Sequence, residues 1–192
     1  MNVYDFDKTI YDGDSTMDFY IFCLKRHKGI FHLAVPLVKG AVRYYVLNIG
    51  TKTIMKENMY RFLTKIDAKK DIDDFWKQNK TKIKTWYKAQ QKPDDLVISA
   101  SPYFLLKPIC DYLGIKHLIA SQVDVKTGKY TGENCHGDEK VRMFKEQYGE
   151  EIDEFYSDSY NDEPLAKMSK KAFMVKGNDI SPWQFKNKEV RR

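Results

Sequence analysis

Cysteine is scarce in this chain of 192 residues: Cys23, Cys110 and Cys135 are an odd number of thiols set far apart. That excludes a disulfide-stapled scaffold and gives no cysteine spacing of a metal knuckle, so reduced thiols in a reducing, cytoplasmic compartment are expected. Glycine (10) and proline (6) are few, and neither a Ser-, Gly- or Pro-rich linker nor an internal repeat divides the chain into modules. A long uninterrupted apolar run is also missing. The most apolar stretch, Ile30 to Ile49, is broken by His32, Pro36, Lys39 and Arg43, which argues against a simple membrane-spanning helix. The chain enters its first strand at residue 3, so no signal peptide is expected.

What is present suits one core domain with a modest insertion, long enough to bury a substantial core. Charge is unevenly shared. Residues 14–93 hold 17 Lys and Arg against 7 Asp and Glu, whereas the rest of the chain holds 16 against 20. A basic insertion on an acidic core is suited to meeting anions, although Lys on solvated helix faces gives the same count. No nucleic-acid partner is expected, and composition says nothing of oligomeric state.

The organising stretch is Val3-Tyr4-Asp5-Phe6-Asp7-Lys8-Thr9. A short apolar strand runs straight into two aspartates spaced one apart, so Tyr4 and Phe6 face one way and Asp5 and Asp7 the other. Two carboxylates on one face repel unless a cation or a shared proton separates them, so the pair calls for Mg²⁺ or a proton. A lone pair of this kind also fits an acidic strand end that caps the next helix.

Downstream, Asp12-Gly13-Asp14-Ser15 reads as a turn with Asp14 or Ser15 as helix N-cap. Helical patterns follow over Met17 to Gly29, along Ile30 to Ile49 (Leu33, Leu37 and Ala41 with Ala34, Val38 and Val42 on one face), then over Lys52–Ile66 and Ile72–Gln91. Residues 14–93 are therefore expected to be an all-helical insertion. Leu96-Val97-Ile98 reads as a buried strand, with Ser101 as cap and Pro102 as first residue of the next helix. Ile115 to Ser121, Glu154 to Tyr156 and Ala172 to Val175 are further strands, Thr127-Gly128 turns a hairpin, and helices lie over residues 140–148 and 165–169. Strand and helix in alternation predict an α/β fold with a parallel sheet covered on both faces, which takes ligands at the carboxyl ends of its strands.

Four elements stand at those ends in order: Asp5-Phe6-Asp7-Lys8-Thr9, Val97-Ile98-Ser99-Ala100-Ser101-Pro102, Gly137-Asp138-Glu139-Lys140-Val141 and Tyr156-Ser157-Asp158-Ser159-Tyr160-Asn161-Asp162. Together they resemble the haloacid dehalogenase superfamily of aspartate-nucleophile phosphotransferases, in its phosphoserine-phosphatase-like branch. The resemblance implies a Rossmann-like core (residues 1–13 and 94–192) with a helical cap (14–93) inserted after the first strand. It implies a phosphomonoester hydrolase working through an aspartyl-phosphate, with Asp5 as nucleophile and Asp7 as general acid and base. Mg²⁺ is implied on the Asp5 carboxylate, the Asp7 backbone carbonyl and Asp158, with Asp162 in support. Ser99 and Lys140 would hold the phosphoryl group, and the backbone N–H groups of Phe6 and Ala100 would add to its cradle.

Asp7 separates reaction types, because a halide leaving group needs no acid and related dehalogenases lack this second aspartate. Asp158 to Asp162 also fits a plain polar turn in which Asn161 or Asp162 caps a helix; Asn161 is a further candidate at the phosphate. For the substrate beyond its phosphate, Asp14 stands by position where phosphoserine phosphatases carry a recognition glutamate, and Arg61 is a candidate partner for a carboxylate. The expected substrate is a small phosphorylated metabolite. The alternatives are a lipid phosphate met at an anionic membrane through the basic, apolar insertion, and a non-catalytic phospho-acceptor or binding domain.

Overall fold

The structure is a computed structural model, which describes residues 1–29 and 57–185. Strands β1 (Val3–Tyr4), β2 (Leu96–Pro102), β3 (His117–Ser121), β4 (Ile152–Ser157), β5 (Ser169–Lys176) and β6 (Asp179–Pro182) form one sheet in the order β3-β2-β1-β4-β5-β6. All neighbours are parallel except β6, which returns antiparallel along β5. β1 has two residues yet lies at the centre, with Val3 opposite Leu96 and Phe155 and Tyr4 opposite Val97 and Tyr156. Here the strand order reverses, and the connections from β1 and its neighbours part to leave a crevice at their carboxyl ends.

Side-chain alternation sorts the strands into two cores. Tyr4, Phe6, Val97 and Tyr156 face one, while Val3, Leu96, Ile98 and Phe155 face the other. Helices α1 (Ser15–Arg26), α2 (Ala68–Asn79), α3 (Thr85–Gln90) and α4 (Tyr103–Tyr112) supply the first core; α5 (Asp138–Tyr148) and the short α6 (Glu163–Ala166) supply the second. Aromatic rings fill the first core: Tyr4 stacks on Tyr156 at 4.8 Å, Tyr156 on Phe173 at 4.8 Å, and Tyr87 meets Tyr4 edge-on at 4.9 Å. Each such pair adds about 0.5–1.5 kcal/mol beyond its buried area.

The caps expected from the sequence are realised in part. Asp14 begins α1, its carboxylate accepting from the Met17 N–H at 3.0 Å, and Asp67 does the same for α2 from Lys70. Buried Asp71 on α2 bridges Arg26 and His27 at the end of α1, and the Trp76 indole donates to the Leu105 carbonyl of α4 at 2.7 Å.

Two local expectations are corrected and one hairpin is added. Ile72–Gln91 is two helices, not one: between α2 and α3 the chain makes a 3₁₀ turn (Lys80–Lys82) and runs extended, Ile83 pairing with Tyr11. Tertiary pairing overrides good helix propensity there. Ser101 does not cap α4, because β2 continues through Pro102, which takes the N-cap position without a side-chain bond. The edge hairpin β5–β6 was not anticipated, although Gly177, at φ 60°, followed by Asn178 is a turn signal. The apolar Ile30 to Ile49 face lies outside the described residues, as does the first part of the Lys52–Ile66 helix. Among the described residues no helix is long and apolar enough to cross a membrane.

Candidate active site

Asp5 lies one residue beyond β1, its N–H still bonded to the Tyr156 carbonyl at 2.9 Å. The chain then turns sharply: Phe6 O accepts from Ile10 and Tyr11, and Lys8 takes the left-handed conformation (φ 59°) with its N–H on Gly13 O. A non-glycine residue in that conformation is uncommon and is held by its surroundings. The surroundings are visible. Lys84, a buried lysine, donates from Nζ to the carbonyls of Lys8 and Gly177, and backbone bonds join Lys84 to Ile10 and Asp12 to Lys82.

Lys140 on α5 reaches under the end of β1, its Nζ 2.7 Å from Asp5 Oδ1 and 2.9 Å from Asp162 Oδ2, all three side chains buried. The other Asp5 oxygen accepts from the Thr9 hydroxyl at 3.3 Å, and Thr9 Oγ1 itself accepts from the Asp158 N–H at 3.0 Å. Asp162 also accepts from the Ser157 hydroxyl at 2.8 Å. Asp7 turns the other way. Its Oδ1 accepts from the Ser15 N–H at 2.6 Å, at the start of α1, and its Oδ2 accepts from the Ser101 hydroxyl. Ser99, at 1% exposure, ends the regular part of β2, and its Oγ accepts from the Ser101 N–H at 3.1 Å.

Electrostatics follow from this crowding. Burial pushes the Asp5 carboxyl upward, against the pull of Lys140, and the charges of Asp162 and Asp7 add to the push. Burial and then Asp14 raise Asp7, while the bonds from Ser101 and Ser15 oppose them. Asp158 is raised by burial and by Asp162, with Lys8 working against both. Asp5 and Asp162 hold Lys140 firmly protonated although burial alone would lower it.

The sequence candidates thus divide. Asp5, Lys140 and Asp162 are in direct contact and Asp158 joins them through Thr9, whereas Asp7 and Ser99 are linked to each other through Ser101. Asp14 stands close enough to raise Asp7 and serves as the α1 cap. Phe6 is fully buried among Tyr11 and Trp76, and the half-buried Ala100 offers its carbonyl to the Ser121 hydroxyl. Asn161 is exposed, its N–H on the Ser159 hydroxyl. Arg61 is exposed in the 3₁₀ turn Arg61–Lys65, with no ion pair among the described residues. Ser15, Thr16, Thr9, Ser101 and Lys84 were not read as site residues. Thr9 and Ser101 had a local signal, since they lie within the first and second motifs.

Among the described residues no three His, Cys, Asp or Glu side chains gather as a metal-binding group. Mg²⁺ needs no such group, because it takes one or two carboxylates and completes its octahedron with water and phosphate oxygen. The donor set fits that habit. Beyond burial, Asp162 and Asp7 raise the Asp5 carboxyl and Asp162 raises that of Asp158, while Lys140 and Lys8 oppose them, a surplus of buried negative charge that a small divalent cation relieves.

Comparison with known proteins now adds to the geometry. A probable phosphatase of Mycobacterium tuberculosis is 38% identical over 80 residues, which covers 38% of this chain and 28% of the relative. The chain thus matches little more than a quarter of that relative's length. Among solved structures, a protein of unknown function from Bordetella pertussis Tohama I superposes with a TM-score of 0.72 at 21% identity, covering 90% of this chain and 87% of that one. A phosphoserine phosphohydrolase-like protein from Francisella tularensis gives 0.54 at 16%, covering 90% and 86%. At these identities the likeness is one of fold. The sequence profile described as haloacid dehalogenase-like hydrolase matches residues 3–167, which take in β1 to β4 and all four motifs, and the chain belongs to that family.

Proposed function

We propose that the protein is a phosphomonoester hydrolase in which Asp5 attacks phosphorus and Asp7 moves the protons. The observation that carries this reading is the buried Lys140 ammonium bridging Asp5 and Asp162 at the carboxyl end of the central strand, with Asp7 turned the other way in the same loop. A carboxylate nucleophile needs a neighbouring cation that screens it from the incoming phosphate, and Lys140 is placed for that.

In the first step an Asp5 oxygen forms a bond to phosphorus, the ester P–O bond breaks, and Asp7 gives its proton to the departing oxygen. In the second, water attacks the aspartyl-phosphate, the Asp–O–P bond breaks, and the water proton passes to Asp7, which restores both residues. Thr9 and Lys140 each occupy one Asp5 oxygen and so orient the carboxylate. Ser99 is the hydroxyl at hand for a phosphate oxygen. The Asp5 carboxylate, the Asp7 carbonyl and Asp158, with Asp162 behind, would hold Mg²⁺, which when bound neutralises phosphoryl charge.

The insertion (residues 14–93) acts as the cap, its described parts mainly helical, with an extended stretch at Ile83, and packed in the first core. The substrate class is a small phosphorylated metabolite. Three buried, unpaired thiols support a reducing, cytoplasmic setting. The test is hydrolysis of a chromogenic phosphate ester with and without Mg²⁺, beside the near-isosteric Asp5→Asn. Mg²⁺-dependent turnover that vanishes in Asp5→Asn supports the reading; robust turnover by a folded Asp5→Asn protein rejects it.

A further inference from the structure

Buried hydroxyls that no step above uses stand against Asp7. Ser101 Oγ donates to Asp7 Oδ2, Thr16 Oγ1 lies 2.9 Å from Ser101 Oγ, and Ser15 Oγ lies 3.4 Å from it. All three serines and threonines are buried. Ser101 has one proton. Since it goes to the carboxylate, the Thr16 hydroxyl must donate to Ser101, and the chain runs Thr16 to Ser101 to Asp7.

The second donor to Asp7 is the Ser15 N–H, on the opposite oxygen. One donor on each oxygen stops the carboxylate from rotating, and leaves a lone pair free on each for a travelling proton. Ser101 is also tied back to the phosphate side, because its own N–H is fixed on the Ser99 hydroxyl.

From this we infer that Ser101 is a positioning residue for the general acid: it sets the Asp7 carboxyl at the departing ester oxygen and does not itself touch the reacting atoms. The inference rests on the hydrolase reading above. Its consequence is selective. An acid matters where the departing oxygen is a poor leaving group, as in an alkyl phosphate, and matters little for an aryl phosphate that leaves unaided. General damage to the fold weakens both substrates alike.

The test is kcat/KM, which reports the first chemical step, over a series of alkyl and aryl phosphate monoesters for wild type, Ser101→Ala, Asp7→Asn and the double variant. Losing an ordering hydrogen bond to a charged group predicts a loss of about 10- to 100-fold on alkyl esters in Ser101→Ala, and about threefold or less on aryl esters. In the Asp7→Asn background the same change should cost almost nothing further, because Ser101 acts through Asp7. Equal losses on both ester classes, no loss on either, or a full-sized loss on top of Asp7→Asn each overturn the positioning role. Failure of the underlying reading looks different: Asp7→Asn itself then shows no dependence on the leaving group.

Discussion

Lys140→Met keeps the aliphatic stem of a buried side chain and removes its charge, so it isolates what the ammonium does. In the metal-free protein the change leaves Asp5 with Thr9 and Asp162 with Ser157, but strips the 2.7 and 2.9 Å contacts to the cation between them. Breaking a buried ion pair by removing one partner costs about 3–5 kcal/mol if the orphaned charge stays ionised. It need not stay ionised. Asp5 is already pushed up by burial, and without Lys140 it rises further. The folded variant then binds a proton that the unfolded chain releases, so its stability falls as pH rises. The deficit against wild type is therefore smallest in mild acid and grows with pH through the raised Asp5 range, by at most about 1.4 kcal/mol per pH unit, towards the ceiling of about 3–5 kcal/mol. Urea unfolding in EDTA at about pH 5.5 and about pH 8.5 reads the difference directly. Midpoint shifts of equal size at both pH values would refute the reasoning, since they would mean that Lys140 contributes packing and not charge.

Three further outcomes are expected. Asp7→Asn should lower turnover of alkyl phosphates by about 10²–10⁴-fold while Mg²⁺ still binds, since the ligand proposed from this residue is its backbone carbonyl; calorimetric titration that finds no Mg²⁺ binding would overturn that assignment. Lys84→Met removes the donor to the carbonyls of Lys8 and Gly177 and should cost about 10- to 100-fold in kcat by loosening the turn that aims Asp7, with KM little changed; an unaltered kcat refutes the role. Asp95 is raised by burial, one oxygen on the Lys92 N–H and the other without a partner among the described residues. The folded state holds a proton there that the unfolded state loses, so wild-type stability falls as pH rises through that window. Asp95→Asn should then melt higher than wild type at neutral pH and level with it in acid.

What was legible in the sequence depended on how local the signal was. Strand alternation drew attention to Asp5 and Asp7 but predicted them on one face, whereas the regular strand ends at Tyr4 and the turn after it aims Asp7 away from Asp5; Asp14 was marked by its place before a helical pattern. Ser99, Lys140, Asp158 and Asp162 are ordinary as single residues and stood out only as four motifs in order. Thr16 and Lys84 had no such mark, and Ser101, though inside the second motif, reads from sequence as a helix cap. Ser101 reaches Asp7 across 94 positions and Lys84 reaches Lys8 across 76, contacts made only when the sheet and insertion are assembled. The break between α2 and α3 was hidden for the same reason: no glycine or proline marks it, and it exists because Ile83 pairs with Tyr11.

The two aspartates of the first loop also divide the crevice. Asp5 is held by Lys140 from α5, which belongs to the core on one side of the sheet, together with Asp162 beyond β4. Asp7 is held by Ser15 at the start of α1 and by Ser101 at the end of β2, on the other side, where α1, α2 and α4 pack. In the proposed reaction phosphorus must meet Asp5 and the departing oxygen must meet Asp7. The non-phosphate part of the substrate therefore points away from α5 and towards the insertion. A group that binds there contacts the very helix whose first N–H fixes the acid, so substrate recognition and acid placement share one element. In that reaction, substitutions within residues 14–93 are expected to alter substrate choice without touching Asp5, Lys140 or Asp162, and a poorly seated substrate is expected to lose protonation of its leaving group before it loses phosphate binding.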